Sequence, residues 1–168
     1  LTELRINECC LGIGELQSLC HSIRHVRYLD LTGNELVPEA GMILGNMLRE
    51  NNYLESLCLD ENQLENSGLE SLCRGLAYNQ TLKCLSLKAN NITCCDGLAM
   101  LIHCSMLQML SLSENAIGDA GAKRLGVSLL MSNLDTLHLD ACMMTDQGIA
   151  AICRAGGCLR ELSLSNNL

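Results

Sequence analysis

Residues 82–92 read LKCLSLKANNI. A strand through the middle of this stretch points Leu82, Leu85 and Leu87 to one side, with Ile92 following, and leaves Asn90 where the backbone must turn out of the strand. The same eleven-residue frame recurs seven times, starting at Leu1, Val26, Leu54, Leu82, Leu107, Leu134 and Leu159. Successive spacings are 25, 28, 28, 25, 27 and 25 residues. Repetition at that period marks stacked supersecondary units that bury their apolar faces only against one another.

In every copy the fourth and sixth positions are aliphatic, from Leu4 and Ile6 to Leu162 and Leu164. The ninth is Asn34, Asn62, Asn90, Asn115 and Asn167 in five copies, and Cys9 and Cys142 in two. A small polar or sulfhydryl side chain buried at the turn serves one role there, bonding backbone groups that have left the strand ladder.

Helical periodicity follows each turn. Helices are expected from about Glu15 to Ile23, after Pro38 with Leu44 and Leu48 buried, and from about Ser67 to Tyr78 with Leu69, Leu72 and Leu76 on one face. Asp96 is expected to cap a helix carrying Leu98, Leu101 and Ile102, Asp119 one carrying Ala122, Leu125 and Leu129, and Asp146 one carrying Ile149 and Ile152. Gly156 and Gly157 end the last of these. Parallel strands pack about 4.8 Å apart and helices about 8–10 Å apart, so the stack must bend with its strands inside.

Repeat lengths and outer helices resemble the leucine-rich-repeat family. LESLCLDENQLENSGLESLCRGL from Leu54 looks like its ribonuclease-inhibitor-like class, and LDTLHLDACMMTDQGIAAIC from Leu134 like its cysteine-containing class. The resemblance implies an α/β solenoid, a horseshoe segment with parallel strands on the concave face and helices on the convex face. It also implies an intracellular protein-interaction module of the kind found in scaffolds, in nucleotide-binding immune receptors and in ubiquitin ligases. A single array over residues 1–168 is expected. Both ends fall inside the repeat pattern without a polar capping segment, so the array is expected to be part of a longer protein.

Composition narrows the function. With one Pro, no Trp and no Phe, the core must be aliphatic, built with Met, Ala and Cys. Twelve cysteines in repeat phase, including Cys20, Cys73 and Cys153 at one helical place, read as free thiols of a cytoplasmic protein. The absence of any CxxC, with no partners at zinc spacing for Cys9-Cys10 or Cys94-Cys95, argues against a metal. A net charge of -8 without a basic cluster argues against nucleic acid. No signal peptide or membrane span is visible, since the most apolar segment, residues 97–112, carries His103, Ser105 and Gln108. Sequons at Asn79 and Asn91 read as by-products of the repeat in a cytoplasmic chain.

Residues between the strand leucines face the hollow. Arg5, Glu8, Asp30, Asp60, Glu61, Lys88, Glu114, His138 and Asp140 are the candidate partner-binding residues, and their acidic edge suits a protein with a basic surface. Arg27 and Lys83 add some opposite charge. Ser111, His138 and Asp140 lie on neighbouring strands, but an open curved face offers no closed pocket or oxyanion donors, and no phosphate loop exists. The expectation is a binding module with no cofactor and no catalysis.

Overall fold

Each frame forms one short strand at its third to fifth positions. The structure, a computed structural model, describes residues 1–98 and 106–168. Its strands are β1 (Glu3–Arg5), β2 (Tyr28–Asp30), β3 (Ser56–Cys58), β4 (Cys84–Ser86), β5 (Met109–Ser111), β6 (Thr136–His138) and β7 (Glu161–Ser163). They form one parallel sheet in sequence order, with no register slip: Leu4 pairs with Leu29, Leu29 with Leu57, and so on to Leu162. The middle leucines of β2 to β6 are buried at 1% exposure or less, because period-2 alternation sends them together toward the helices.

The helices are α1 (Ile13–Ser22), α2 (Glu39–Glu50), α3 (Glu65–Leu76), α4 (Gly118–Leu129) and α5 (Asp146–Ala155). Leu44 and Leu48 of α2, Leu69, Leu72 and Leu76 of α3, and Ala122, Leu125 and Leu129 of α4 are buried as their spacing predicts. The expected helix after Asp96 is described only as a 3-10 turn over 96–98, and its Leu101 and Ile102 lie outside the described residues. Asp96 pairs with Arg124 of the next repeat.

Asparagines at the ninth position close the strand exits in five of the seven repeats. Asn62 Nδ2 donates to the carbonyls of Leu59, Asp60 and, one repeat back, Leu31, at 2.9–3.0 Å. Its Oδ1 accepts from Asn34 N and Leu36 N at 3.0 and 2.9 Å. Asn34, Asn115 and Asn167 repeat this exchange, each clamping the preceding turn, and Asn90 clamps Leu59 O and Leu64 N. Cys142 fills the position with its thiol on Leu112 O at 3.3 Å, as expected. Cys9 departs from the pattern: it is exposed, and its thiol reaches only Asn7 O of its own repeat.

These clamps hold a strained backbone. The eighth position is left-handed in all seven frames, although only Gly33 is a glycine: Glu8, Glu61, Ala89, Glu114, Ala141 and Asn166 all have φ of 52–58°. Such a conformation costs a non-glycine residue about 1–2 kcal/mol.

Capping crosses between repeats. Asp119 sits in the first turn of α4 but accepts from Thr145 N and Gly148 N, both at 2.9 Å, and so caps α5. Asn66 does the same for the following repeat, accepting from Thr93 N and Cys94 N. Within α5 the cap is Thr145, whose Oγ1 accepts from Gln147 N at 3.3 Å, and Asp146 is the first helical residue. A second asparagine ladder lies at the opposite end of the repeats. Asn51 Nδ2 donates to Ile23 O at 3.1 Å, and Asn79 Nδ2 to Leu48 O at 2.7 Å and Asn51 O at 3.0 Å. Asn79 is therefore buried and its carboxamide is already engaged, which closes that sequon to a glycan.

Helices α2 and α3 meet through glycines. A Cβ on Gly75 would stand 1.9 Å from Gly45 O, and one on Gly41 2.2 Å from Gly68 O, so the two backbones touch. Gly14 of α1 has open space around it. Gly75→Ala is therefore expected to destabilise by about 2 kcal/mol or more through overpacking, whereas Gly14→Ala should stabilise by about 0.5–1 kcal/mol through helix propensity. Paired urea melts check both signs, and equal effects would contradict this packing.

Candidate interaction face

The sheet's other face is built from the residues flanking each buried leucine and from the strand-exit turns. Six of the nine candidates project from strand ends or the next two turn positions on the same edge, in neighbouring strands 3 to 6: Asp60, Glu61, Lys88, Glu114, His138 and Asp140. Arg5, Glu8 and Asp30 occupy the same positions in repeats 1 and 2.

Three of the acids are engaged inward. Asp60 Oδ1 accepts from Ser86 Oγ at 2.6 Å and Lys88 N at 2.9 Å. Asp140 Oδ1 accepts from Ser163 Oγ and Ser165 N, both at 2.6 Å, while Ser113 Oγ reaches Oδ2 at 3.4 Å. Asp30 is 8% exposed and accepts from Thr32 N, Thr32 Oγ1 and Asn7 Nδ2. These carboxylates stitch adjacent strand exits together. For Asp30 and Asp140 burial acts to raise the pKa, but hydrogen bonds to Thr32 and Asn7 in one case and to Ser163 and Ser165 in the other outweigh it, leaving both below the ordinary carboxylate value.

The cations are matched as well. Arg5 lies 3.4 Å from Glu3 and 4.8 Å above the Tyr28 ring. Arg27 and Lys83 flank Glu55 at 3.6 and 2.7 Å. Lys88 pairs with Glu114 at 3.1 Å, and that hydrogen bond, ahead of its Coulombic attraction, raises the lysine pKa. Exposed carboxylates at the strand exits are Glu8, Glu61 and Glu114, one on every second strand, each on a left-handed turn. Between them stand the small residues Gly33 and Ala89, with Ala141 following Glu114.

Ser111 and His138 are register partners, but their chemistry diverges. Ser111 is buried, His138 Nε2 lies 3.4 Å from Glu161, and the hydrogen bonds of Asp140 go to serines and a backbone amide. Thiols line the middle of the face: Cys58, within 3.3 Å of Thr32 Oγ1, is pushed up to about 11 by burial and stays protonated at neutral pH. All cysteines among the described residues are free, and those residues contain no group of three or more His, Cys, Asp or Glu placed to hold a metal. No helix among them is long and apolar enough to cross a membrane.

The Leucine Rich repeat family model matches residues 22–42, 50–73, 78–93 and 103–126. The chain belongs to the leucine-rich-repeat family. Among curated leucine-rich-repeat relatives, mouse NACHT, LRR and PYD domains-containing protein 12 is 34% identical over 180 residues, covering 99% of this chain and 17% of that protein. Mouse ribonuclease inhibitor is 32% identical over 185 residues, covering 99% of this chain and 40% of that protein, which supports the ribonuclease-inhibitor-like class. The chain thus spans less than half the length of either relative. Leiomodin-1 actin-binding site 2 superimposes with a TM-score of 0.58 at 16% identity, covering 94% of this chain and 79% of that one, a likeness of fold.

Asp140→Asn is expected to lower stability at pH 7 by about 1–2 kcal/mol, discounted for partial exposure. Because the folded pKa lies below the unfolded value of about 3.9, this contribution is present above that value and is lost as pH falls through the folded pKa. Urea midpoints at pH 7 and pH 3 should show the gap between variant and parent narrowing in acid.

Proposed function

We propose that this array is a non-catalytic protein-interaction module, a scaffold or adaptor segment of an intracellular assembly, binding a partner with a basic surface through the concave strand-exit edge. One observation carries the reading: exposed Glu8, Glu61 and Glu114 recur on alternate strands, on turns that the asparagine clamps hold rigid. Two strand spacings set these carboxylates about 10 Å apart, close to two helical turns at about 11 Å. A partner presenting Lys or Arg at that interval would meet Glu8 and Glu61 directly and compete with Lys88 for Glu114, with charge setting encounter and orientation more than affinity. The serines, threonines and the protonated Cys58 thiol between them hydrogen-bond or adjoin the stitching aspartates, so the charge of Asp30 and Asp60 is already engaged there. Free cysteines support a reducing compartment such as the cytoplasm. The stretch is read as one segment of a longer solenoid, supported by the small share of each relative that it spans.

A second reading, the ligand-sensing or autoinhibitory array of a nucleotide-binding immune receptor, is favoured by the mouse, human and cattle NACHT, LRR and PYD proteins matched over 99% of this chain. It shares the proposed binding face.

The test is affinity capture from reducing lysate with the parent array and a Glu8→Lys, Glu61→Lys, Glu114→Lys variant of matched circular dichroism. These positions do not perturb the stitching aspartates. Partners identified by mass spectrometry on the parent and lost from the variant support the edge; partners retained in full contradict it.

A further inference from the structure

The strand-exit edge carries a cation of its own. Across the seven frames, the seventh and eighth positions hold five acids, Glu8, Asp60, Glu61, Glu114 and Asp140, and one cation, Lys88. Lys88 stands just past β4, the middle strand of the sheet, between the acids of the third repeat and Glu114 of the fifth. Its Nζ lies 3.1 Å from Glu114 Oε1, and its backbone amide donates to Asp60 Oδ1 at 2.9 Å. The hydrogen bond to Glu114, with the charges of Glu114, Glu61 and Asp60 behind it, raises the lysine pKa. The ammonium is therefore held in a field made by carboxylates of both neighbouring repeats.

The place of this pair sets it apart. Among the described residues, Arg27, Lys83 and Arg160 pair at the second frame position, where the chain enters the strand, and Arg74 and Arg124 pair on the helical side. No ion pair among them uses Glu8 or Glu61. The side chains of Lys88 and Glu114 are 38% and 51% exposed, so their pair is of the surface kind that opens at little cost. A flexible four-carbon stem lets the ammonium leave without moving its turn, which stays fixed by Asp60 on the amide and Asn90 on the carbonyl of Lys88.

An ammonium here has the position and the chemistry of a partner's cation. We propose that Lys88 is an internal competitor, occupying the central cation position of the strand-exit edge until a basic partner displaces it from Glu114. The inference rests on the reading of this edge as the site for a basic partner. It adds a selective step, because a partner reaches Glu8 and Glu61 at once but gains Glu114 only in exchange for Lys88. A single cation at Glu114 supplies nothing that Lys88 does not already supply, so the edge favours partners that present several.

The chain contains no Trp, so a Trp-tagged probe reports binding through its own emission anisotropy. The probe is an alanine-glutamine helix with one Trp and three lysines about seven residues apart. Titrated at about 0.15 M salt, where distant charges are screened, it is expected to bind the parent saturably and a Lys88→Met variant of matched circular dichroism about threefold more tightly. Lys88→Gln should match Lys88→Met, and Lys88→Arg, which keeps the charge, should stay within about twofold of the parent. The gain should vanish in a Glu114→Gln background. Arg154→Gln, which removes a cation from the last turn of α5, should leave binding within about 1.5-fold. Equal affinity of parent and Lys88→Met, an equal gain from Arg154→Gln, or a gain that survives Glu114→Gln would overturn the competitor while leaving the edge as a site for basic partners. Absence of saturable binding by both the parent and Lys88→Met would overturn the edge reading itself, and the competitor with it.

Discussion

A parallel strand of three residues leaves most of its turn's amides and carbonyls without a ladder partner, and burying them unbonded costs about 1–3 kcal/mol each. The carboxamide of one asparagine in each of five repeats resolves this, because it carries donors and acceptors on one planar group. Asn62 donates within its own turn and to the repeat before it, and accepts from two amides of that preceding turn. The exchange runs one way along the stack, each repeat completing its predecessor. Left-handed non-glycine residues at the eighth position of six frames persist because these bonds fix the backbone beside them.

What the strand exits can offer a partner follows from that constraint. Side chains on the clamped turns start from a fixed backbone, so Glu8, Glu61 and Glu114 are displayed at a set interval. Where an acid sits one position earlier, as in Asp60 and Asp140, it is close enough to the next strand's serine and amide to be drawn into the scaffold. Neighbouring positions thus divide between stitching and display according to which hydrogen-bond donors the next repeat supplies. On the convex side, the glycines of α2 and α3 allow backbone contact that larger residues would prevent, while α1 stands further off and leaves a cavity beside Arg24.

The repeat frame, the strand positions, the buried leucines and the role of the ninth-position asparagine were legible in sequence because each depends on local periodicity. Partnerships 23–30 residues away were not. Asp119 reads as the cap of the helix it begins, yet its oxygens lie against Thr145 and Gly148, since the stack sets each helix start beside the next. Asp60 and Asp140 read as open concave acids because alternation reports which side of a strand a residue faces, not whether a neighbouring strand places a serine within reach. The ladder of Asn51 and Asn79 carries a usable signal, two asparagines 28 residues apart at the end of equal-length repeats. Gly41, Gly45, Gly68 and Gly75 likewise form a glycine pattern shared by two adjacent helices.

The measurement that tests the clamp most directly is the urea unfolding of Asn62→Ala beside Asn46→Ala, an exposed helical asparagine. Loss of the carboxamide strands the Asn34 and Leu36 amides, while the carbonyls of Leu31, Leu59 and Asp60 each keep a second donor, so Asn62→Ala should lose about 2 kcal/mol or more while Asn46→Ala stays within about 0.5 kcal/mol. Equal midpoints for the two variants would contradict the dependence of the array on its turn asparagines.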